Sequence, residues 1–183
     1  MESTAYFSVP CQVPVQVELL PVGSEPPQGE AFEAEIPDSF RLASEVATLD
    51  PASLRAMRSL GETSHELVAY LNLLSRKINA LMGYILVQQE QGQPAQLTTA
   101  IGASGVIVDG VAEAHLGQHA RLKIFLRDEA VSLYCYGQVS AVNESAVEFR
   151  FSRLREQDQE ILIRATLHLQ AKLLKERAAR KDS

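Results

Sequence analysis

Four cations in the second half of the chain, Arg121, Lys123, Arg127 and Arg150, are the residues best suited by type and spacing to hold a ligand; Arg153 and Arg155 lie nearby. Arg121 and Lys123 alternate with Leu122 and Ile124, so in a strand they share one outward face. Guanidinium and ammonium groups gathered in that way would grip an anion such as a phosphate. The plainer reading is a solvated strand face, neutralised by Glu148, Asp128 and Glu129. Other patterns carry less. His115 and His119 have helical metal-ligand spacing, but Gly117 lies between them and no Cys or carboxylate stands at ligand spacing, so no zinc site is expected. Gly102-Ala103-Ser104-Gly105 lacks the lysine of a phosphate loop and has no strand–loop–helix unit around it. Cys135 alternates with Leu133 and reads as a small core residue. No triad, carboxylate pair or metal cluster stands out. The expectation is a non-enzymatic protein with no catalytic residue, no metal and no cofactor.

The elements that would position these residues are short strands. Thr98 to Asp109 is β-rich around the Gly102–Gly105 turn. Leu122, Ile124 and Leu126 alternate with Arg121, Lys123 and Arg127. Val131, Leu133, Cys135, Val139 and Ala141 alternate with Ser132, Tyr134, Tyr136, Gln138 and Ser140. Val147, Phe149 and Phe151 alternate with Glu148 and Arg150. Arg127-Asp128-Glu129 and Asn143-Glu144-Ser145 make the connections. Strands with one apolar face each predict a small antiparallel barrel or sandwich. A final helix is expected from about Leu154 to Arg180, with Ile161, Leu162, Ala165, Leu169 and Leu173 on its apolar face and positive charge near its C-terminus.

Before the strands, the dominant feature is a heptad pattern. Leu67, Leu71, Leu74, Ile78, Leu81 and Ile85 are spaced 4, 3, 4, 3, 4. That 3.5-residue repeat keeps a seam facing a partner helix. Val68, Met82, Tyr70 and Tyr84 widen the stripe, which suits a bundle of more than two helices. Thr63-Ser64-His65-Glu66 forms a capping box at the start, Gly92 and Pro94 stop the helix, and Gly83 falls off the seam. A shorter helix is expected from Asp50 and Pro51 to Gly61. Self-assembly through the seam is the favoured reading over packing on the chain's own barrel.

Residues 1–49 are harder to read. Val13, Val15, Val17 and Leu19 alternate as a strand, and Pro14 would confine it to an edge. Residues 21–38, with four prolines and five acidic residues, read as a solvated linker or arm. The net charge of −6 argues against nucleic acid or an anionic membrane as partner. Two distant cysteines, Cys11 and Cys135, predict no disulfide and fit a reducing cytoplasm. No signal peptide is visible, and the longest apolar run is too short for membrane insertion.

A small barrel closed by a C-terminal helix, with a Gly-Ala-Ser-Gly turn in an early strand, resembles a PilZ domain. The matching stretches are Leu97–Val106, Leu116–Ile124, Tyr136–Val139 and Val147–Phe151 with the helix that follows, about half of the chain. The heptad helix resembles an atypical subset of that family in which added helices assemble the subunits into a tetramer. The resemblance implies a bacterial regulator in cyclic di-GMP signalling, in motility, pilus or biofilm control. The family binds that ligand through Arg-x-x-x-Arg before the barrel and Asp/Asn-x-Ser-x-x-Gly in an early strand. This chain has no arginine between Arg76 and Arg121, and its second frame reads Ala100-x-Gly102-x-x-Gly105, where only the glycine survives. Ala100 and Gly102 offer no side-chain hydrogen bond. Cyclic di-GMP is therefore not expected to bind in the usual mode; the alternative is a receptor with a rebuilt site on the basic strand face.

The combined expectation is an α+β fold: an N-terminal extended arm (1–49), a short helix and a long coiled-coil helix (50–93), and a PilZ-like barrel with a C-terminal helix (94–183). The partners expected are copies of the chain itself, as a tetramer rather than a dimer, and a client protein.

Overall fold

Alternation of inward and outward side chains produces seven strands among the described residues. The computed structural model describes residues 8–48, helical positions scattered between 66 and 88, and residues 95–181. The strands are β1 (Ser8–Pro10), β2 (Pro14–Leu19), β3 (Gln96–Gly102), β4 (Gly105–Asp109), β5 (His119–Leu126), β6 (Val131–Val142) and β7 (Ala146–Arg153). β3, β2, β5, β6, β7 and β4 follow one another, and β4 pairs back onto β3 to close a barrel. Every pairing is antiparallel. Closure leaves the ring without a free edge. Inside lie Val15, Ile101, Val106, Val108, Leu122, Ile124, Leu133, Cys135 and Phe149, capped by Ile161, Leu162 and Ala165 of α3 (Glu156–Lys181). α1 (Glu30–Glu35) and α2 (Asp38–Thr48) precede it in the chain.

Residues 8–19 are part of the sheet rather than an arm beside it. β2 runs between β3 and β5, with Val15 opposite Ile124 and Val17 opposite Leu122. Pro14 is tolerated there because it is the first residue of the strand, where a missing N–H costs least. β1 pairs with β3 through Ser8 and Gly102, Val9 and Ile101, and Pro10 and Ala100. The fully buried Thr98 ties the β1–β2 connection down. Its hydroxyl donates to the Cys11 carbonyl at 2.8 Å and accepts from the Val13 amide at 3.0 Å.

The solvated-linker expectation for 21–38 holds for the mostly exposed residues 21–29 and fails from Glu30 onward. Phe32 and Ile36 are buried, and with Phe40 they pack on Phe125, Tyr134 and Tyr136. The alternation of β6 placed Ser132, Tyr134 and Tyr136 on an outward polar face. They do face outward from the barrel, yet they are only 0, 3 and 1% exposed, because α1 and α2 cover them. The rings meet near edge-on: Phe40–Tyr134 at 6.0 Å and 80°, Tyr134–Tyr136 at 6.2 Å and 89°. That is the arrangement the ring quadrupoles favour.

Two polar clusters fasten the helices. Tyr136 Oη donates to Glu35 Oε2 at 2.5 Å and Tyr134 Oη donates to the same oxygen at 3.2 Å, which pins the end of α1. Burial pushes the phenols of Tyr134 and Tyr136 above the usual tyrosine range. At the start of α3, Arg155 holds Asp158 with two nitrogens at 2.7 and 3.0 Å, and Ser44 Oγ donates to Asp158 at 2.5 Å. α2 and α3 are thus joined through a fully buried carboxylate.

The connections expected at Gly102–Gly105, Arg127–Glu129 and Asn143–Ser145 are observed as a tight turn, a single 3-10 turn and a hairpin loop. The short helix from Asp50, the capping box at Thr63, the seam neighbours Val68 and Met82, the off-seam Gly83 and the stop at Gly92 and Pro94 lie outside the described residues. So does the continuity of the long helix.

Candidate functional site

The heptad positions form the first candidate surface. Leu67, Leu71, Leu74, Ile78, Leu81 and Ile85 are all helical. Leu67, Ile78, Leu81 and Ile85 are 48, 37, 65 and 38% exposed, and Leu71 and Leu74 are half-buried. Tyr70, Leu73 and Tyr84 are also exposed. Burial against the chain's own barrel would have hidden these side chains. Instead the single chain leaves an apolar row facing water, the condition for association with something else.

The basic face is only partly assembled. Arg121 and Lys123 stand opposite Tyr136 and Tyr134 on the outer side of β5. Arg150 lies two strands away on β7, opposite Gln138. Arg127 leaves the face altogether, in the 3-10 turn after β5. The carboxylates that answer Arg121 come from the N-terminal stretch rather than from Glu129. They are Glu18, at 2.7 Å, and Glu35, at 3.7 Å. Glu129 pairs with His168 instead, at 3.0 Å. The Arg121 guanidinium also donates to Tyr136 Oη at 3.3 Å and lies 5.8 Å from that ring's centroid. Partial burial works against its charge, but the hydrogen bonds to Tyr136 and Glu18 outweigh that effect and hold it protonated. Sequence reasoning missed both partners because they sit in the stretch read as an arm.

Arg127 lines a groove of about 350 Å³ between the β1–β2 connection, the end of β5 and α3, with Leu169 and Leu173 on its helical wall. His119 Nδ1 lies 3.2 Å from the Ser24 carbonyl, and His115 is exposed in the loop before β5. Among the described residues, no group of three His, Cys, Asp or Glu side chains is placed to hold a metal. Burial raises the thiol pKa of Cys135, with the Asp158 charge adding to the effect, as befits an inert core thiol.

The β3–β4 turn has a packing rationale of its own. A Cβ on Gly105 would lie 2.4 Å from the Phe149 carbonyl oxygen, so only glycine lets β4 approach β7 this closely. Ala100 and Gly102 are buried, and their backbones are flanked by β1.

No protein-family model matches the sequence, and no curated protein matches it. Solved structures do. A pathogenic protein from Xanthomonas campestris, a tetrameric PilZ domain self-assembled via an unusual helical bundle, superposes with a TM-score of 0.55 at 16% identity, over 93% of this chain and 91% of that one. The fold is PilZ-like. The Bacillus subtilis inhibitor of motility, MotI/DgrA, aligns over 45% of this chain and 44% of its own, with 20% identity and a TM-score of 0.40, too slight a likeness to build on.

In a PilZ-like barrel the surviving glycine of the ligand frame loses its weight as a ligand signal, because the contact with Phe149 already requires it. The two departures, Ala100 and Gly102, are both buried in this PilZ-like chain. Among the described residues, no helix is long and apolar enough to cross a membrane.

Proposed function

We propose that this chain is a non-enzymatic, cytoplasmic bacterial regulatory or adaptor protein that self-assembles through the heptad row and presents several PilZ-like barrels to a client protein. The observation that carries this reading is the exposure of Leu67, Ile78, Leu81 and Ile85 at helical positions spaced for a seam. The Xanthomonas campestris tetramer of the same fold supports four copies rather than two. Multiple barrels would raise a weak affinity for a client without any new contact.

Cyclic di-GMP is not its ligand in the usual mode on this reading, since Ala100 and Gly102 are buried and apolar and Gly105 is a packing glycine. A receptor using the outer face of β5 is the competing reading. Glu18 and Glu35 weigh against it, since both already neutralise Arg121.

Light scattering on the purified chain, followed by calorimetric titration with cyclic di-GMP, tests both. A tetrameric mass that collapses on Leu74→Asp with Ile78→Asp, and no heat of binding, is the expected result. An unchanged mass after those substitutions sinks the seam. Micromolar or tighter binding makes the protein a receptor, with Arg121, Arg127 and Arg150 the next residues to replace.

A further inference from the structure

α3 carries a second heptad row, on the side away from the barrel. Its barrel-facing residues are Ile161, Leu162 and Ala165. Glu156, Glu160, Ile163, Leu167, Gln170, Leu174 and Arg177 follow one another at spacings of 4, 3, 4, 3, 4 and 3, and the next step reaches position 181, a lysine. All the named residues are exposed except Gln170, which is half-buried. Ile163, Leu167 and Leu174 are 42, 56 and 57% exposed. The row is acidic at its start, apolar in the middle and basic at its end.

That order is self-complementary only when reversed. Setting a second α3 antiparallel, with the twofold axis between positions 168 and 169, places Ile163 against Leu174 of the second copy and Leu167 against Gln170. The same register puts Glu160 against Arg177, and Glu156 against the lysine at 181. Each match joins an a-type position to a d-type one, as antiparallel knobs-into-holes packing requires. A parallel pair would stack Glu160 on Glu160 and Arg177 on Arg177. The helix dipole alone explains acids at the N-terminus and bases at the C-terminus. It does not explain three large apolar side chains facing water in the same row.

We infer that α3 is a second assembly surface, on which two copies of the chain pair antiparallel about a twofold axis, with Ile163 meeting Leu174 and Glu160 meeting Arg177. The pairing is isologous, so it closes on itself. Placed on a twofold axis of a four-helix bundle at 67–85, it would tie pairs of subunits together within the same tetramer.

The deciding experiment is light scattering over a concentration series on the full chain carrying Leu74→Asp and Ile78→Asp, so that the two surfaces are read apart. The expected mass is twice that of the chain. It should fall to the monomer on adding Glu160→Arg and return when Arg177→Glu is added to the same chain. Both positions are exposed, so an unchanged circular dichroism spectrum will certify the fold of each variant. A monomer before the third substitution overturns the pairing, as does a dimer indifferent to Glu160→Arg. If Leu74→Asp and Ile78→Asp leave the original mass unaltered, the 67–85 seam is what fails, and the charge exchange still decides this one. Co-sedimentation of a monomeric chain with phosphatidylglycerol vesicles, abolished by Leu167→Asp, would assign the row to a lipid surface and also overturn it.

Discussion

Gly105 and the carbonyl oxygen of Phe149 leave no room between them for a methyl group, because a Cβ would sit 2.4 Å from that oxygen. The obstacle is backbone of β7, which cannot swing aside as a side chain tip could. Gly105→Ala should therefore cost about 1–3 kcal/mol of stability, the range for overpacking a closed site. Urea denaturation of the variant checks this. A loss within a few tenths of a kcal/mol would return the glycine to its place as a ligand signal.

The Arg155–Asp158 pair is buried, with side chains 8 and 0% exposed. Removing one partner leaves a charge without compensation in a low dielectric. Arg155→Ala or Asp158→Ala should each lose about 3–5 kcal/mol. Ser44→Ala, which removes one hydrogen bond to the same carboxylate, should lose about 1–3 kcal/mol. Equal losses for all three, measured by denaturant titration, would contradict the ranking.

Alkaline pH should loosen α1. The phenols of Tyr134 and Tyr136 are raised above their ordinary value of about 10, chiefly by burial. A raised pKa means that the folded chain holds the proton more tightly than the unfolded chain does. This contribution is complete below about pH 10 and is lost as pH climbs toward the folded values. Stability should be flat in these groups near neutrality and fall above pH ~10. Replacing both tyrosines by phenylalanine should flatten that fall. Tyrosinate absorbance followed alongside unfolding reads the effect, and ordinary titration in the folded protein would contradict it.

Phe32 tests whether the helices at 30–48 belong to the folded unit. It is 6% exposed and meets the rings of Tyr134 and Tyr136 at 6.3 and 6.0 Å. Phe32→Ala should cost about 3–5 kcal/mol. That is a large share of a total near 5–15 kcal/mol. A loss below about 0.5 kcal/mol, the size of an ordinary surface substitution, would make α1 a loosely held appendage.

Much of the barrel could be read in the sequence because each strand signals one buried face. Leu122, Ile124, Leu133, Cys135 and Phe149 all point inward as their alternation predicts. The second buried layer was harder to see. Phe32, Ile36 and Phe40 recur every fourth residue, a helical signal, but Glu30, Glu33, Glu35 and Pro37 gave that stretch the composition of a linker. The strand partners of Tyr134 and Tyr136 say nothing about a helix arriving from a hundred residues upstream. The row on α3 was hidden for a different reason. Its two ends are charged, so only its middle half looks apolar, and the stronger barrel-facing pattern lies on the opposite side of the same helix. The candidate anion site depended on distant carboxylates, Glu18 and Glu35, which no local spacing reveals.

The pairing of β1 and β2 with strands beyond the helical stretch sets the order in which the molecule can fold. Val13 and Thr98 are hydrogen-bonded across 85 positions of chain, and the gap between β3 and β5 stays open until β2 enters it. Contacts of such long range slow folding, since the loop must close before they repay it. A segment made well before its strand partners is then among the last to find its place. Until it does, the unpaired edges of β3 and β5 are open to strands from neighbouring chains. If the chain assembles as proposed, helices that gather several copies early would raise the local concentration of those edges, and the timing of association relative to barrel closure would set the yield of correctly folded protein.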